Sequence, residues 1–348
     1  MTAGPRAARA RTGRDAVTIR DVAQRAGVSK SLVSLVMRGY PHVSAVRREA
    51  VLKAARELGY RPNAMARGLV EQRTETVGVV ISDMRNPYYV DLVESFQGVL
   101  QDAGFRTLLG NGRLDALTGD SLVEAFLQLR VDGLCLVGTF PQSQVIADAA
   151  DLVPAVAASG RDMRLPRTDM VANDDFHGAL LATRHLLGLG HRRVTHIGGC
   201  DGAVAAARQA GYEEAMRGGG AGADIRVQRS DFTERAGYDA AMTALSARPR
   251  PTAVFAVNDV ACVGALSAAD ELGIAVPGQL SLVGYDNTYL AGIRHLSLST
   301  VDPVNTHVGR IAGHALLDRL EDPDRPGLEQ LIEPHLVVRG SSAPPPAG

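Results

Sequence analysis

Cysteine is scarce in this 348-residue chain: Cys135, Cys200 and Cys262 stand far apart, in no metal-ligand spacing, and their odd number leaves one unpaired. A disulfide framework and a zinc cluster are thereby disfavoured, and a reducing cytoplasm is the expected compartment. Long apolar runs are missing as well. Nothing approaches the roughly 18 apolar residues of a membrane span, and the arginine-rich start, Met1 to Asp15, is not followed by the apolar stretch of an export signal. Lysine is reduced to Lys30 and Lys53 while Ala, Gly and Arg abound, as in a GC-rich coding sequence. Catalytic groupings are also wanting. No nucleophile elbow and no Ser, His and Asp set at a recognisable spacing occurs, and GGCDGA at Gly198 to Ala203 lacks the Lys and Ser or Thr of a phosphate loop. Asp174, Asp175 and His177 lie close together, but Asp174 reads as a helix N-cap and no second ligand cluster is near. No enzyme activity, cofactor or metal is therefore expected.

What the chain does have is a division of charge. Residues 1 to 73 carry fifteen Lys or Arg against five acids, while the other 275 residues carry 22 against 33. A near-neutral whole thus hides a cationic head on an acidic body, and such a head suits a polyanion. The length allows two or three domains, and 45% hydrophobic with 22% charged residues is ordinary for a globular protein.

The head has a readable plan. Residues 1–16 read as a disordered basic tail, and residues 17–62 as a compact helical domain. Thr18 with Asp21 three residues on is an N-cap signal; Ile19, Val22, Ala23 and Ala26 follow at helical spacing until Gly27 stops the run. Ser29 can cap a second helix with Leu32, Val33 and Val36 as its apolar stripe, ended by Gly39. Two short helices on a tight turn are the sequence form of a helix-turn-helix. A third helix from Ser44 is expected to turn Val46, Ala50, Leu52, Ala55 and Leu58 inward and to close at Gly59. In such a motif the first turn of the second helix reaches base edges in the major groove. Lys30, Ser31 and Leu35 are the candidate base readers, with Ser29, Ser34 and Arg38 nearer the backbone and Thr18 at the start of the preceding helix. Residues 63–73 form the link to the body. NAMARGL, from Asn63 to Leu69, is too short to hold a helix alone and carries Gly68, so it should order only when docked.

From Val17 to Leu69 the sequence resembles the amino-terminal domain and hinge of the lactose-repressor (LacI/GalR) family of bacterial transcription regulators. The resemblance implies homodimers, with a tetramer also open, on pseudo-palindromic double-stranded operator DNA. It implies that Leu69 is a wedge inserted into the minor groove, with Asn63 and Arg67 beside it on the DNA. One departure stands out: many members have Arg where this chain has Leu35, so an apolar contact with a thymine methyl is expected there instead.

After about Thr74, apolar runs such as TVGVVISD, VDGLCLVG, TAVFAVND and LSLVGYD alternate with helical stretches. Apolar strands without a two-residue alternation, separated by helices, indicate an α/β fold of parallel sheets covered on both faces, and the length implies two lobes. The resemblance makes this a periplasmic-binding-protein-like core over 74–340. It implies crossings near Asn173, Asp302 and residues 321 to 330, one lobe of about 74–173 and 303–320, another of about 174–302 and 329–340, and a flexible tail at 341–348. Strand ends carry Asp83, Asn173, Asn258 and Asp286, and ligands in such sheets bind outside the carboxyl ends of strands. The resemblance puts Tyr88, Arg208, Phe232, Asn258 and Asp286 on effector-contacting positions, with Asp83 added from the strand ends. Carboxylates and an Arg fork suit a sugar or sugar derivative, whereas Asp259 and Asn287 read as structural. The expected function is a ligand-responsive DNA-binding repressor, ahead of a sugar-transport binding protein and an α/β enzyme.

Overall fold

The computed structural model describes residues 17–37, 39–60, 73–112, 115–141, 143–161, 165 and 167–346. The chain divides after Thr74 into two compact units. The basic tail at 1–16, the hinge up to residue 72, and Arg38, Asn63, Arg67 and Leu69 lie outside the described residues.

In the first unit, helices α1 (Ile19–Ala26), α2 (Lys30–Met37) and α3 (Ala45–Leu58) pack around Val22, Val33, Val36, Val51 and Ala54. Local chemistry fixes the ends. Thr18 donates its backbone N–H and its hydroxyl to Asp21 Oδ2, both at 2.7 Å, and Gly27 and Gly59 stop α1 and α3 in the left-handed conformation, at φ of 64° and 66°. The inward face of α3 differs from the expected one. Val51, Ala54, Ala55 and Leu58 repeat at helical spacing and pack inward, whereas Val46 and Leu52 are exposed, because they fall on the opposite side of that stripe.

The second unit contains two six-stranded sheets. The first has the order β2 (Arg106–Asn111), β1 (Thr76–Ile81), β3 (Gly133–Val137), β4 (Ala155–Ala158), β5 (Thr168–Asn173) and β11 (Glu329–Ile332), all parallel. The second runs β7 (Arg226–Arg229), β6 (Val194–Gly198), β8 (Ala253–Ala256), β9 (Ser281–Tyr285), β10 (Ser299–Asp302) and β12 (His335–Val337), with only β12 antiparallel. The central strands are buried along their length, which is why their sequences are continuous apolar runs. Two doubly wound lobes result. The helix Asn305–Glu321 belongs to the first, packed against Tyr88–Asp102. A Cβ on Gly309 would stand 2.1 Å from Leu92 O, so only glycine allows that approach.

Two expected boundaries are corrected. β11 pairs with β5, so residues 329–332 lie in the first lobe and the last crossing falls at 333–334 rather than 321–330. The cause is a buried ion pair: Arg319 grips Asp169 through Nε and Nη2, at 2.9 and 2.8 Å. Arg319 also donates to the carbonyls of Pro323, Arg325 and Pro326, which holds the segment after the helix on this lobe. Nor are residues 341 to 343 a loose tail. Ser341 is buried, donates to Leu282 O at 2.7 Å and accepts from Ser299 N–H at 2.8 Å, and Ala343 N–H donates to Ser281 Oγ at 3.0 Å. The second sheet thus uses this segment to satisfy backbone groups of β9 and β10.

Candidate functional site

In the first unit, Ser29, Lys30 and Ser31 are exposed at the start of α2, and Ser34 and Leu35 are half-buried one turn later. Ser29 Oγ accepts from Leu32 N–H at 3.2 Å. The first turn of α2 therefore presents a lysine, a serine and the positive end of a helix dipole to solvent, a surface that suits an anionic backbone with base edges beside it. Thr18 is exposed at the end of α1. An exposed ion pair between Arg25 and Glu57, at 2.6 Å, ties α1 to α3.

In the second unit a cavity of about 410 Å³ opens between the lobes at the carboxyl ends of the strands. Of the residues expected there, it is lined by Asp83, Tyr88, Arg208, Phe232 and Asp286. Asn258 does not line it. Its side-chain oxygen caps the helix Asp259–Glu271 by accepting from Ala261 N–H at 2.8 Å, and its amide donates to Phe232 O at 3.1 Å, so both ends are occupied in building the wall.

Arg208 is the electrostatic centre. It is 5% exposed and donates from Nε to Asp175 Oδ1 at 2.9 Å, from Nη1 to Val257 O at 2.5 Å and from Nη2 to Asp286 Oδ1 at 3.4 Å. Its guanidinium lies 3.6 Å above the Tyr285 ring. Burial opposes the charge of Arg208, but Asp175 and Asp286 outweigh it and hold its pKa above the ordinary value. Burial pushes Asp286 up to about 8 against the pull of Arg208, and Asp175 is raised for the same reason. One cation is thus shared by two buried carboxylates, of which Asp286 is the more distant. Asp286 also holds φ at 102°, a region that disfavours side chains. The turn after it is fixed by Asp259, which accepts from Thr288 N–H at 2.7 Å and from Thr300 Oγ1 at 2.6 Å. Asp259 is structural, as expected; so is Asn287, which donates to Asp302 Oδ2 at 2.8 Å.

The first lobe supplies Tyr88, whose hydroxyl donates to Asn173 Oδ1 at 2.8 Å and lies 2.6 Å from Ser159 Oγ. Burial raises its pKa, so it remains a phenol. Asn173 in turn donates to Pro303 O at 2.6 Å, and Asn305 donates to Tyr88 O at 3.1 Å. A side chain on the cavity floor is thereby tied to two of the three crossings. At the mouth, Arg85 and Asp83 form a two-bonded pair, each contact 3.0 Å. Ser159, Tyr89, Arg85 and Asp231 also line the cavity, and no local signal in their sequence marks them out. Asp175 could have been found: it opens a helix beside a capping Asp174, which accepts from His177 N–H at 3.0 Å, and a second carboxylate there needs a partner.

Residues 18–63 match the family described as bacterial regulatory proteins, lacI family, and residues 183–342 match the periplasmic binding protein-like domain. The HTH-type transcriptional repressor PurR of Erwinia tasmaniensis is 33% identical over 335 residues, covering 94% of this chain and 98% of that protein. The chain belongs to the lacI family of bacterial regulatory proteins. Among solved structures, the lac repressor dimer bound to operator and the anti-inducer ONPF is 27% identical with a TM-score of 0.82, covering 94% of this chain and 99% of that one. The transcriptional regulator CelR in complex with cellobiose is 30% identical with a TM-score of 0.70, covering 93% and 99%. The helix-turn-helix head and two-lobed body are thus those of a DNA-binding regulator of this family. Among the described residues no helix is long and apolar enough to cross a membrane.

Proposed function

We propose that this chain is a cytoplasmic, non-enzymatic homodimeric repressor whose affinity for a pseudo-palindromic operator is set by a neutral, polyhydroxylated effector, a sugar or sugar derivative, bound between the lobes. The observation that carries this reading is the state of the arginines in the cavity. Arg208 is paired with two carboxylates and Arg85 with one, and Arg235 pairs with Asp239 at 2.8 Å. Each cation is already matched, so the cavity offers an anionic ligand little. It offers a neutral ligand Asp286, Ser82, Ser159 and Tyr88 as hydrogen-bonding groups and the half-buried Phe232 as an apolar wall. The cellobiose complex of CelR supports the same ligand chemistry.

In this reading, Lys30, Ser31 and Leu35 read bases while Thr18, Ser29, Ser34 and Arg38 hold the backbone. Leu69, with Asn63 and Arg67, works the minor groove between half-sites. Closure of the lobes on effector shifts the hinges of a dimer relative to one another and changes operator affinity. Gel-shift titration on the chain's own upstream DNA, with neutral sugars, sugar phosphates and nucleobases added in turn, tests it. A neutral sugar should change operator affinity 5- to 150-fold, an ordinary range for such coupling; a response to sugar phosphates alone would contradict the matched-cation argument.

A further inference from the structure

The second unit is acidic overall, with 22 Lys or Arg against 33 acids from residue 74 onward, yet one end of its second lobe is the opposite. Where β6, β7 and β8 begin, on the side away from the cleft, Arg193, Arg226, Arg248 and Arg250 stand exposed around two adjoining hollows of about 250 and 350 Å³. The hollows share Arg193, Arg248 and Pro251, and among the described residues Asp224 is their one acidic lining residue. Among the described residues, none of these four arginines is ion-paired, although nearby Arg217 and Arg229 are, with Glu213 and Asp201.

The guanidiniums are held rather than waving. Arg193 Nε donates to Arg250 O at 3.1 Å, Arg248 Nη1 to Ala247 O at 3.1 Å, and Arg226 Nη1 to Ile225 O at 2.8 Å. Arg248 and Arg250 alternate with Pro249 and with buried Pro251, which limits how far that segment can relax. Carbonyl capping accounts for one nitrogen of each of these three side chains. It leaves most of their N–H donors without a protein acceptor among the described residues and does not account for four like charges gathered around one acid.

We propose that this end of the second lobe binds a compact anion carrying at least two phosphate groups, of the diphosphate or nucleoside-polyphosphate class. Arginine forks fit phosphate oxygens two at a time, and the hollows have the volume of a small-ligand site. The inference does not rest on the effector reading, since the site lies at the other end of the strands.

The test is calorimetric titration of the full-length wild type and of R193Q/R248Q/R250Q with pyrophosphate at physiological salt. The basic head is common to both chains, so the difference reports on this site alone. The wild type should bind one more pyrophosphate per chain than the triple variant, at least tenfold more tightly than orthophosphate. If the triple variant proves unstable, Arg250→Glu serves instead, because that side chain takes no part in the carbonyl contacts above; it should also lose the extra site. A nucleoside triphosphate that outcompetes tripolyphosphate would assign the nucleoside class, and equal competition the phosphate chain itself. Equal pyrophosphate binding by wild type and variant, or none by either, would overturn the proposal. So would loss of random-sequence duplex binding in the variant with pyrophosphate unchanged, which would make this a nucleic-acid surface.

Discussion

At the residue scale, Arg208 has two jobs in the proposed function, holding Asp175 and Asp286 and binding effector, that a single substitution cannot separate. Removing it leaves Asp175 and Asp286 buried, 2% and 3% exposed, without their cation. Breaking a buried pair from one side costs about 3 to 5 kcal/mol, so Arg208→Ala should lower stability by that order as well as abolish effector response. Asp286→Asn removes one charge but keeps the side chain's shape while Asp175 still holds Arg208, so stability should stay within about 1 kcal/mol of wild type, and in the double variant it should recover part of the Arg208→Ala loss. Urea unfolding of the three variants measures this; no recovery would mean that Asp286 does not share the cation. His196 gives a second residue-scale expectation. It is fully buried, stacked 4.8 Å from the Phe255 ring, and burial lowers its pKa from 6.5 to about 4. The unfolded chain therefore takes up a proton between pH 6.5 and 4 that the folded chain refuses. Stability from this group is complete above pH 6.5 and lost as pH falls toward 4, by about 3 kcal/mol. His196→Phe should flatten the acid limb of a stability-versus-pH curve by up to about 1.4 kcal/mol per pH unit. An unchanged limb would show that His196 is protonated in the fold.

At the scale of elements, the pair formed by Tyr88–Asp102 and Asn305–Glu321 holds the first lobe together and positions Tyr88. Because a Cβ on Gly309 would sit 2.1 Å from both Leu92 O and Ser95 Oγ, Gly309→Ala should push the helices apart. The expected cost is about 1 to 3 kcal/mol, with weaker effector binding, both measurable by thermal unfolding with and without effector. A neutral substitution would mean that the helices can separate freely. What could be read in advance follows the range of the interactions. The helix-turn-helix was legible from Thr18, Asp21 and Gly27, whose bonds span three or four residues. The strands were legible because doubly covered sheets leave continuous apolar runs. Asp286 was legible from its place at a strand's carboxyl end as well as through family likeness, whereas Arg208 was placed in the cavity through family likeness alone. The last crossing was not legible, because it depends on Arg319 meeting Asp169 across 150 residues of sequence. The docking of Ser341 on Leu282 O escaped for the same reason. The inward face of the third helix was misjudged because Val46 and Leu52 are apolar but sit off the stripe that Val51, Ala54 and Leu58 define.

At the scale of the molecule, a cationic head and an acidic two-lobed body are coupled only if effector and operator each sense the other. The hydrogen-bonded line from Tyr88 through Asn173 to Pro303 joins the cavity floor to the crossings, so closure on a ligand has a direct route to the arrangement of the lobes. Thermodynamic linkage makes the central claim reciprocal: whatever factor the effector imposes on operator affinity, operator must impose on effector affinity. The most direct measurement is calorimetric titration of the effector into the full-length protein, alone and saturated with operator duplex. Effector dissociation constants that differ by the same 5- to 150-fold factor seen in the gel shift are the predicted result. Equal constants in the two titrations, for a ligand that Asp286→Asn weakens, would contradict the account: the cleft would then bind a ligand without governing the head.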